Sequence, residues 1–148
     1  MTHTSSFNLK SPDDYFKQML LPQYKDFLAN NSSSRHALLT TIVAFHLYEW
    51  VNGIEFGKDK KKGFIKIYPE LSELADEFDV ARHITNGTKH FSNKPVKTKT
   101  QSGFSSGFSD DFVRPLNIQY PDGREYSADQ FLRKLIDFWQ GQKDIGAF

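Results

Sequence analysis

The third predicted helix carries a group of polar side chains where its apolar face should continue. At about 100° per residue, Arg82 and Lys89 fall in the sector of the apolar residues that end at Ala81, with Asn86 and His90 beside it. Arg82 and Lys89 can hold an anionic group such as a phosphate, and Asn86 can orient it by hydrogen bonding. His90 can act as general acid and base, because imidazole titrates near neutral pH. The pattern indicates either a polar pocket at the end of this helix or a helix end that emerges into solvent.

A second group, His46 and Glu49, lies on the preceding predicted helix. The neighbouring Ile42, Val43 and Trp50 place His46 on the face expected to be most buried. An H-x-x-E pair can supply two metal ligands, or it can hold an imidazole oriented by a carboxylate. Nothing in the sequence brings further ligands to His46, so we predict a buried, hydrogen-bonded pair, with no metal and no other cofactor.

Charged residues are segregated along the chain, although the net charge is only +1. The stretch from Glu70 to Asp79 contains no Lys or Arg, whereas the stretch from Val80 to Ser109 contains no Asp or Glu. A basic surface with neighbouring aromatic residues can bind RNA or another phosphate-bearing ligand. The alternative is a solvated strand edge that lysines protect from pairing with other chains.

The composition excludes several other classes of function. The 148 residues contain no Cys, which removes disulfides, thiolate metal sites and cysteine nucleophiles. No apolar run approaches the roughly 20 residues of a membrane span, and the N-terminus lacks the basic start and apolar core of a secretory signal. We therefore expect a cytoplasmic protein without membrane contact. Motifs such as G-x-x-x-x-G-K-[ST] and H-E-x-x-H are also missing from the sequence.

The hydrophobic pattern predicts four helices and two or three strands. Ser11 and Pro12 are typical of a helix start, and Pro22 predicts a kink or a split near Leu21. The stretch from Lys58 to Gly63 predicts an exposed loop, and the stretch that follows is either a short strand or a cover on the core. The predicted segments are an arm over 1–10, helices over 11–28, 34–52 and from 69 to either 87 or 90, strands over 95–100, 116–120 and 124–126, and a helix that Ser127 caps and Gly141 ends, before a loose tail over 142–148.

This order of elements predicts one α+β domain over residues 1–148. An N-terminal three-helix bundle should be followed by a small antiparallel β-hairpin or three-stranded sheet. The C-terminal helix should then pack back on the bundle.

Two short segments, Phe45–Trp50 (FHLYEW) and Asn86–Phe91 (NGTKHF), together with the Gly/Phe-rich loop and the closing helix, resemble a group of uncharacterised bacterial and phage proteins. Those proteins look like distant relatives of the HEPN helical domains. HEPN ribonucleases cleave RNA without a metal, using an Arg and a His spaced R-x4–6-H, usually across a dimer interface. The resemblance implies Arg82 and His90 as the catalytic pair, with seven residues between them here, a homodimer, and an origin in a prophage or a defence system.

Several HEPN-like proteins only bind, so two functions follow from the sequence. The first is a binding or structural module whose polar site, near the end of the third predicted helix, comprises Arg82, Asn86, Lys89 and His90, with His46 and Glu49 as a second pair. The alternative is a metal-independent ribonuclease of HEPN-like type.

Overall fold

The structure, a computed structural model, describes residues 7–56, 60–89, 96–100 and 116–148. The predicted α+β class is confirmed, with a mostly helical chain, a small antiparallel sheet and a C-terminal helix. A π-helical turn, Phe16–Leu20, joins the first two helices, and a 3₁₀ segment, Pro69–Leu74, precedes the fifth. The helices are α1 (Pro12–Tyr15), α2 (Leu21–Ala29), α3 (Ser34–Asn52), α4 (Lys60–Ile67), α5 (Ala75–Lys89) and α6 (Ala128–Asp144), and the strands are β1 (Lys97–Thr100), β2 (Leu116–Gln119) and β3 (Glu125–Ser127).

Several helix boundaries coincide with local sequence signals. The Ser11 hydroxyl accepts a hydrogen bond from the Asp14 amide at 3.0 Å and caps α1. Gly53, with φ of 72°, ends α3 in the left-handed conformation that glycine adopts without strain. The π-helical turn ends at Leu20, two residues before Pro22, which has no N–H to continue the α-helical pattern. These ends are predictable because each depends on residues only a few positions apart.

The sheet connects the helical bundle to α6. The strands lie in the order β1-β2-β3, each antiparallel to its neighbour, with Ile118 of β2 opposite both Thr98 and Tyr126. Ile118 is buried, so this face of the sheet points towards the core. The chain passes from β3 directly into α6, whose Trp139 indole N–H donates to the Ala44 carbonyl of α3 at 2.9 Å. This buried hydrogen bond fixes α6 on the bundle.

An aromatic cluster fills the core between the helices. Phe78 of α5 lies at its centre and is fully buried. Its ring centroid is 4.9 Å from that of Phe64, 5.2 Å from that of Phe138, and 5.7 Å from that of Trp139. Tyr48 of α3 completes the cluster at 6.0 Å. Aromatic pairs at these separations add stability beyond the burial of apolar surface.

The structure corrects the prediction of an exposed loop over 58–63. Residues 57–59 lie outside the described part, but α4 begins at Lys60, and the segment predicted as a strand or cover belongs to the same helix. Lys61 and Lys62 are exposed as expected, while Phe64 is fully buried. Lys61 also forms an ion pair of 2.7 Å with Asp76 of α5. The helix is thus held by tertiary contacts that the local pattern of lysines and glycines does not reveal.

The structure decides between the two predicted ends of α5 in favour of the later one, and it corrects the predicted end of α6. Asn86 and Gly87 do not stop α5, which continues to Lys89. Gly141 does not end α6 either, and the glycine with positive φ beyond this helix is Gly146, at 78°.

The prediction of a loose tail over 142–148 is wrong. The Phe148 ring packs 5.6 Å from that of Phe16 and 6.2 Å from that of Trp139. The Lys143 ammonium donates to the Phe148 carbonyl oxygen at 3.0 Å. Aromatic packing therefore holds the end of the chain against the bundle.

Candidate functional site

A half-buried polar cluster occupies α5 around Arg82. The guanidinium Nε of Arg82 lies 3.2 Å from Asp79 Oδ1, and its Nη2 lies 3.2 Å from His83 Nε2. Each of these three side chains is less than one fifth exposed. When Nη2 donates to Nε2, that ring nitrogen is an acceptor and the imidazole is neutral. Two of the five N–H donors of the Arg82 guanidinium are therefore engaged within α5.

The predicted site beyond Arg82 is only partly within the described residues. Asn86 is exposed and lies one turn after Arg82 on the continuous α5, so the two residues share one side of the helix. The backbone of Lys89 continues the helix, whereas its side chain and His90 lie outside the described part. The convergence of the four side chains on one site thus stays a prediction. Three of the four residues, Arg82, Asn86 and Lys89, lie on the continuous helix α5.

The predicted burial of His46 is wrong. His46 and Glu49 are both exposed, on the side of α3 away from the core. Trp50, one of the apolar residues on which that prediction rested, covers another part of the molecule, where its ring stacks 5.1 Å from that of Tyr15.

The core side of α3 instead includes two threonines. Thr40 and Thr41 are both buried, and their hydroxyls donate to the carbonyls of His36 at 2.7 Å and Ala37 at 2.8 Å. A threonine that satisfies its hydroxyl on its own helix can enter a core, and a pattern of residue types does not show this.

A cavity of about 210 Å³ lies where α3, α5, α6 and the sheet meet. Ser34, the first residue of α3, and Ala128, the first residue of α6, both line it. Its walls combine apolar side chains with the polar residues Ser34, Thr41, Thr98 and Asn117. Sequence reasoning missed this cavity, although the two helix starts that bound it carried recognisable serine caps. The lining residues are Ser34, Ala37, Leu38, Thr41, Ile84, Thr98, Leu116, Asn117, Ile118 and Ala128.

A second polar group, which the sequence did not indicate, surrounds Glu77 of α5. Glu77 is 3 % exposed, and its Oε1 lies 3.5 Å from the Lys134 ammonium of α6. Burial raises the pKa of Glu77, while Lys134 and Tyr120 partly oppose this effect. Glu77 Oε2 and the Tyr120 hydroxyl are buried, and neither has a hydrogen-bond partner in suitable geometry among the described residues. Lys134 also lies over the Tyr126 ring, 4.1 Å from its centroid.

Next to this group, an ion-pair network joins α4 and α5 to the turn before β3. Asp76 pairs with Lys61 and with Arg124, each at 2.7 Å, and Arg124 also pairs with Asp122 at 2.7 Å. The hydrogen bond from Lys61 holds the pKa of Asp76 below its ordinary value. The acidic stretch of the sequence thus meets its basic partners within the fold. These charges neutralise one another, which makes the network a structural connection.

Among the described residues, no cluster of three or more His, Asp or Glu side chains could hold a metal ion. None of the described helices is long and apolar enough to cross a membrane.

Comparison of the chain with protein-family models, with curated proteins and with solved structures gives no match. The HEPN-like resemblance therefore stays a prediction.

Proposed function

We propose that the protein is a binding module that takes a phosphate-bearing ligand in the cavity between α3, α5, α6 and the sheet. The observation that carries this proposal is that the first residues of two long helices, Ser34 and Ala128, line the same cavity. Helix N-termini bind anions because their first amides have no partner within the helix and the helix dipole is positive there.

The caps of these two helices leave amides available near the cavity. Ser33 accepts from the His36 amide at 3.3 Å, and Ser127 accepts from the Gln130 amide at 3.1 Å. In both helices the cap side chain therefore satisfies an amide further along the first turn. The amides of Ser34 and Ala128 precede those positions and have no intrahelical acceptor. The two helix starts thus offer N–H donors and positive dipole ends in one place.

The size of the cavity favours a small ligand or one group of a larger ligand. A cavity needs roughly 10–15 Å³ of this kind of volume to hold one water, and this cavity, at about 210 Å³, is many times larger. A phosphate group with a short organic extension is of this order, and the side chains of Leu38, Ile84 and Ile118 would contact the apolar part. A longer ligand such as RNA would extend beyond the cavity.

One cation follows the helix start that lines the cavity: Arg35 comes directly after Ser34 on α3 and is exposed. Asp129, at the start of α6, has the opposite charge, and its carboxylate accepts a hydrogen bond of 3.4 Å from Asn31. The preference for an anion therefore depends on the amides and dipoles of the two helix starts.

Isothermal titration calorimetry with inorganic phosphate and glycerol 3-phosphate tests the proposal. Ser34→Asp places a carboxylate at the cavity, while an acidic first turn stabilises a helix by about 0.3–1 kcal/mol. We expect this variant to stay folded and to lose at least tenfold in affinity for both probes. Ser72→Asp, an exposed position on the 3₁₀ segment, adds the same charge elsewhere and should bind as the wild type does. Absence of binding by the wild type, or an equal loss in both variants, would contradict the proposal.

A metal-independent ribonuclease of HEPN-like type is the second candidate function. The observation that favours it is the 3.2 Å contact between the Arg82 guanidinium and the His83 imidazole, which joins two side chains suited to phosphodiester chemistry. Wild-type protein should then cut an end-labelled mixed RNA pool in the presence of EDTA, and Arg82→Ala and His83→Ala should each abolish cleavage. The HEPN-like resemblance implies the same loss for His90→Ala. An intact RNA pool at low salt and high protein concentration would end this reading and leave the binding proposal in place.

A further inference from the structure

A groove of about 790 Å³ lies between the 3₁₀ segment and the C-terminal half of α6. The wall formed by residues 67–74 is mostly apolar, whereas the wall formed by α6 mixes apolar and polar side chains. Ile67 at 38 % and Ile145 at 75 % exposure are open to solvent. The lining residues are Ile67, Tyr68, Pro69, Glu70, Leu71, Leu74, Lys134, Asp137, Phe138, Gly141, Gln142 and Ile145.

The wall formed by α6 is a single stripe of the helix. Its lining positions from Lys134 to Ile145 recur at steps of three and four residues, which places them on one face over three turns. At a rise of 1.5 Å per residue, this stripe is about 16 Å long. Gly141 lies within it, and a Cβ added there would meet no atom within 4 Å. The backbone of α6 can therefore be approached closely at the middle of the groove.

Gln142 contributes a side-chain amide to this groove. It lines the groove on α6 and is 6 % exposed. An amide side chain carries both a donor and an acceptor group, so a polar group of a ligand in the groove can form a hydrogen bond with it.

The charges at the rim favour a basic occupant. Glu70 and Asp137 are acidic and exposed. Lys134 is the one cation among the lining residues, and it is already paired with Glu77 at 3.5 Å and placed over the Tyr126 ring. The charge left for a ligand is therefore negative.

From this combination we propose that the groove binds an amphipathic helix of a partner protein. The helix has about three turns, carries apolar side chains at positions i, i+3 or i+4, and i+7, and has Lys or Arg at its ends. A polar side chain near the middle of the partner helix forms a hydrogen bond with the Gln142 amide. Because Gly141 has no side chain, the partner helix can approach the backbone of α6 closely at this point. Helices laid in apolar grooves are recognised through such anchor positions. This inference uses none of the residues of the cavity and stands independently of the phosphate proposal.

A displayed library of 12-residue helical peptides, selected on the intact protein, tests the proposal. Selection should enrich sequences that combine the apolar spacing with Lys or Arg at the ends. The most enriched peptide, labelled with a fluorophore, then serves as the probe in anisotropy titrations.

Two pairs of variants locate the binding of this probe. Gly141→Leu fills the groove and should weaken binding at least tenfold, whereas Gly63→Leu, at a helical glycine with equally open surroundings on α4, should leave it unchanged. Asp137→Lys should weaken binding severalfold and reduce the salt dependence of binding. Asp26→Lys, at an exposed position on α2, should leave both the affinity and its salt dependence unchanged. Thermal melts confirm that each variant is folded.

Several results would overturn the inference. One is a selection that enriches no peptide, or that enriches acidic ones. Another is an affinity that Gly141→Leu and Gly63→Leu change equally. A third is self-association of the wild type that Gly141→Leu abolishes. This result would identify a second copy of this chain, and not a basic partner helix, as the occupant of the groove.

Discussion

Lys134→Met is the most direct test of the electrostatic arrangement around Glu77. The substitution keeps an unbranched side chain that is only one atom shorter and removes the ammonium 3.5 Å from Glu77 Oε1. A buried carboxylate then loses its ion-pair partner, and an unsatisfied buried group of this kind costs about 1–3 kcal/mol. The higher cost of about 3–5 kcal/mol for a fully buried pair does not apply, because the Lys134 side chain is 36 % exposed and solvent screens the pair. We expect a loss of about 2 kcal/mol in the free energy of unfolding at pH 7.

The pH dependence of this loss has a defined sign. Burial raises the pKa of Glu77 above its ordinary value, so the native state binds a proton at pH values where the unfolded chain has released it. The native state therefore gains stability as the pH falls through the pKa that Glu77 has in the folded protein. The cost of the buried charge is fully present only at pH values above that pKa. The deficit of Lys134→Met should be largest near pH 7 and should shrink towards pH 4.

Urea denaturation of four proteins measures both effects: the wild type, Lys134→Met, Glu77→Gln and the double variant. The double variant should be about as stable as Glu77→Gln alone, because no buried carboxylate remains to lose its partner. Lys25→Met, an exposed lysine on α2, controls for the loss of a positive charge and should change stability by less than about 0.5 kcal/mol. Additive losses in the double variant, or an equal deficit at both pH values, would refute the account.

Three further substitutions test the packing, a helix cap and the corrected position of His46. Phe78→Ala removes the centre of the aromatic cluster and should lower the free energy of unfolding in urea by about 3–5 kcal/mol, against less than about 1 kcal/mol for Leu28→Ala at a half-exposed site. Ser127→Ala removes a capping box and should cost about 1 kcal/mol, measured as a fall of roughly 2–4 °C in Tm. His46→Ala should change stability by less than about 0.5 kcal/mol, and a larger loss in the same melts would contradict its exposed position on α3.

The parts of the fold that the sequence predicted well are those decided locally. Ser11, Gly53 and Ser127 each act on residues within one turn, so their types and positions suffice to mark a helix end. The strands were also recognisable, because their alternation and the turn around Gly123 are local features.

The parts that were missed depend on contacts between distant segments. The helical state of α4 is supported by the burial of Phe64 in the aromatic cluster and by the pairing of Lys61 with Asp76. His46 was misplaced because apolar residues occur on both sides of α3, and only tertiary structure decides which side the core takes. The cavity required four elements to meet, and no spacing within one segment encodes such a meeting.

The cavity and the groove lie at different parts of α6, so their occupation should be independent. Ala128 at the cavity and Gly141 in the groove are separated by 13 positions, or about 20 Å along the helix axis at 1.5 Å per residue. Between them α6 is anchored by the buried hydrogen bond from Trp139 to Ala44, which opposes a rigid shift of the helix. Substitutions this far apart, without shared partners, normally act additively. Gly141→Leu should therefore leave phosphate affinity unchanged in calorimetry, and Ser34→Asp should leave peptide affinity unchanged in anisotropy titrations. If either substitution changed the affinity for the other ligand by more than about threefold, α6 would have a second position on the bundle. The phosphate and the peptide would then favour different positions of α6.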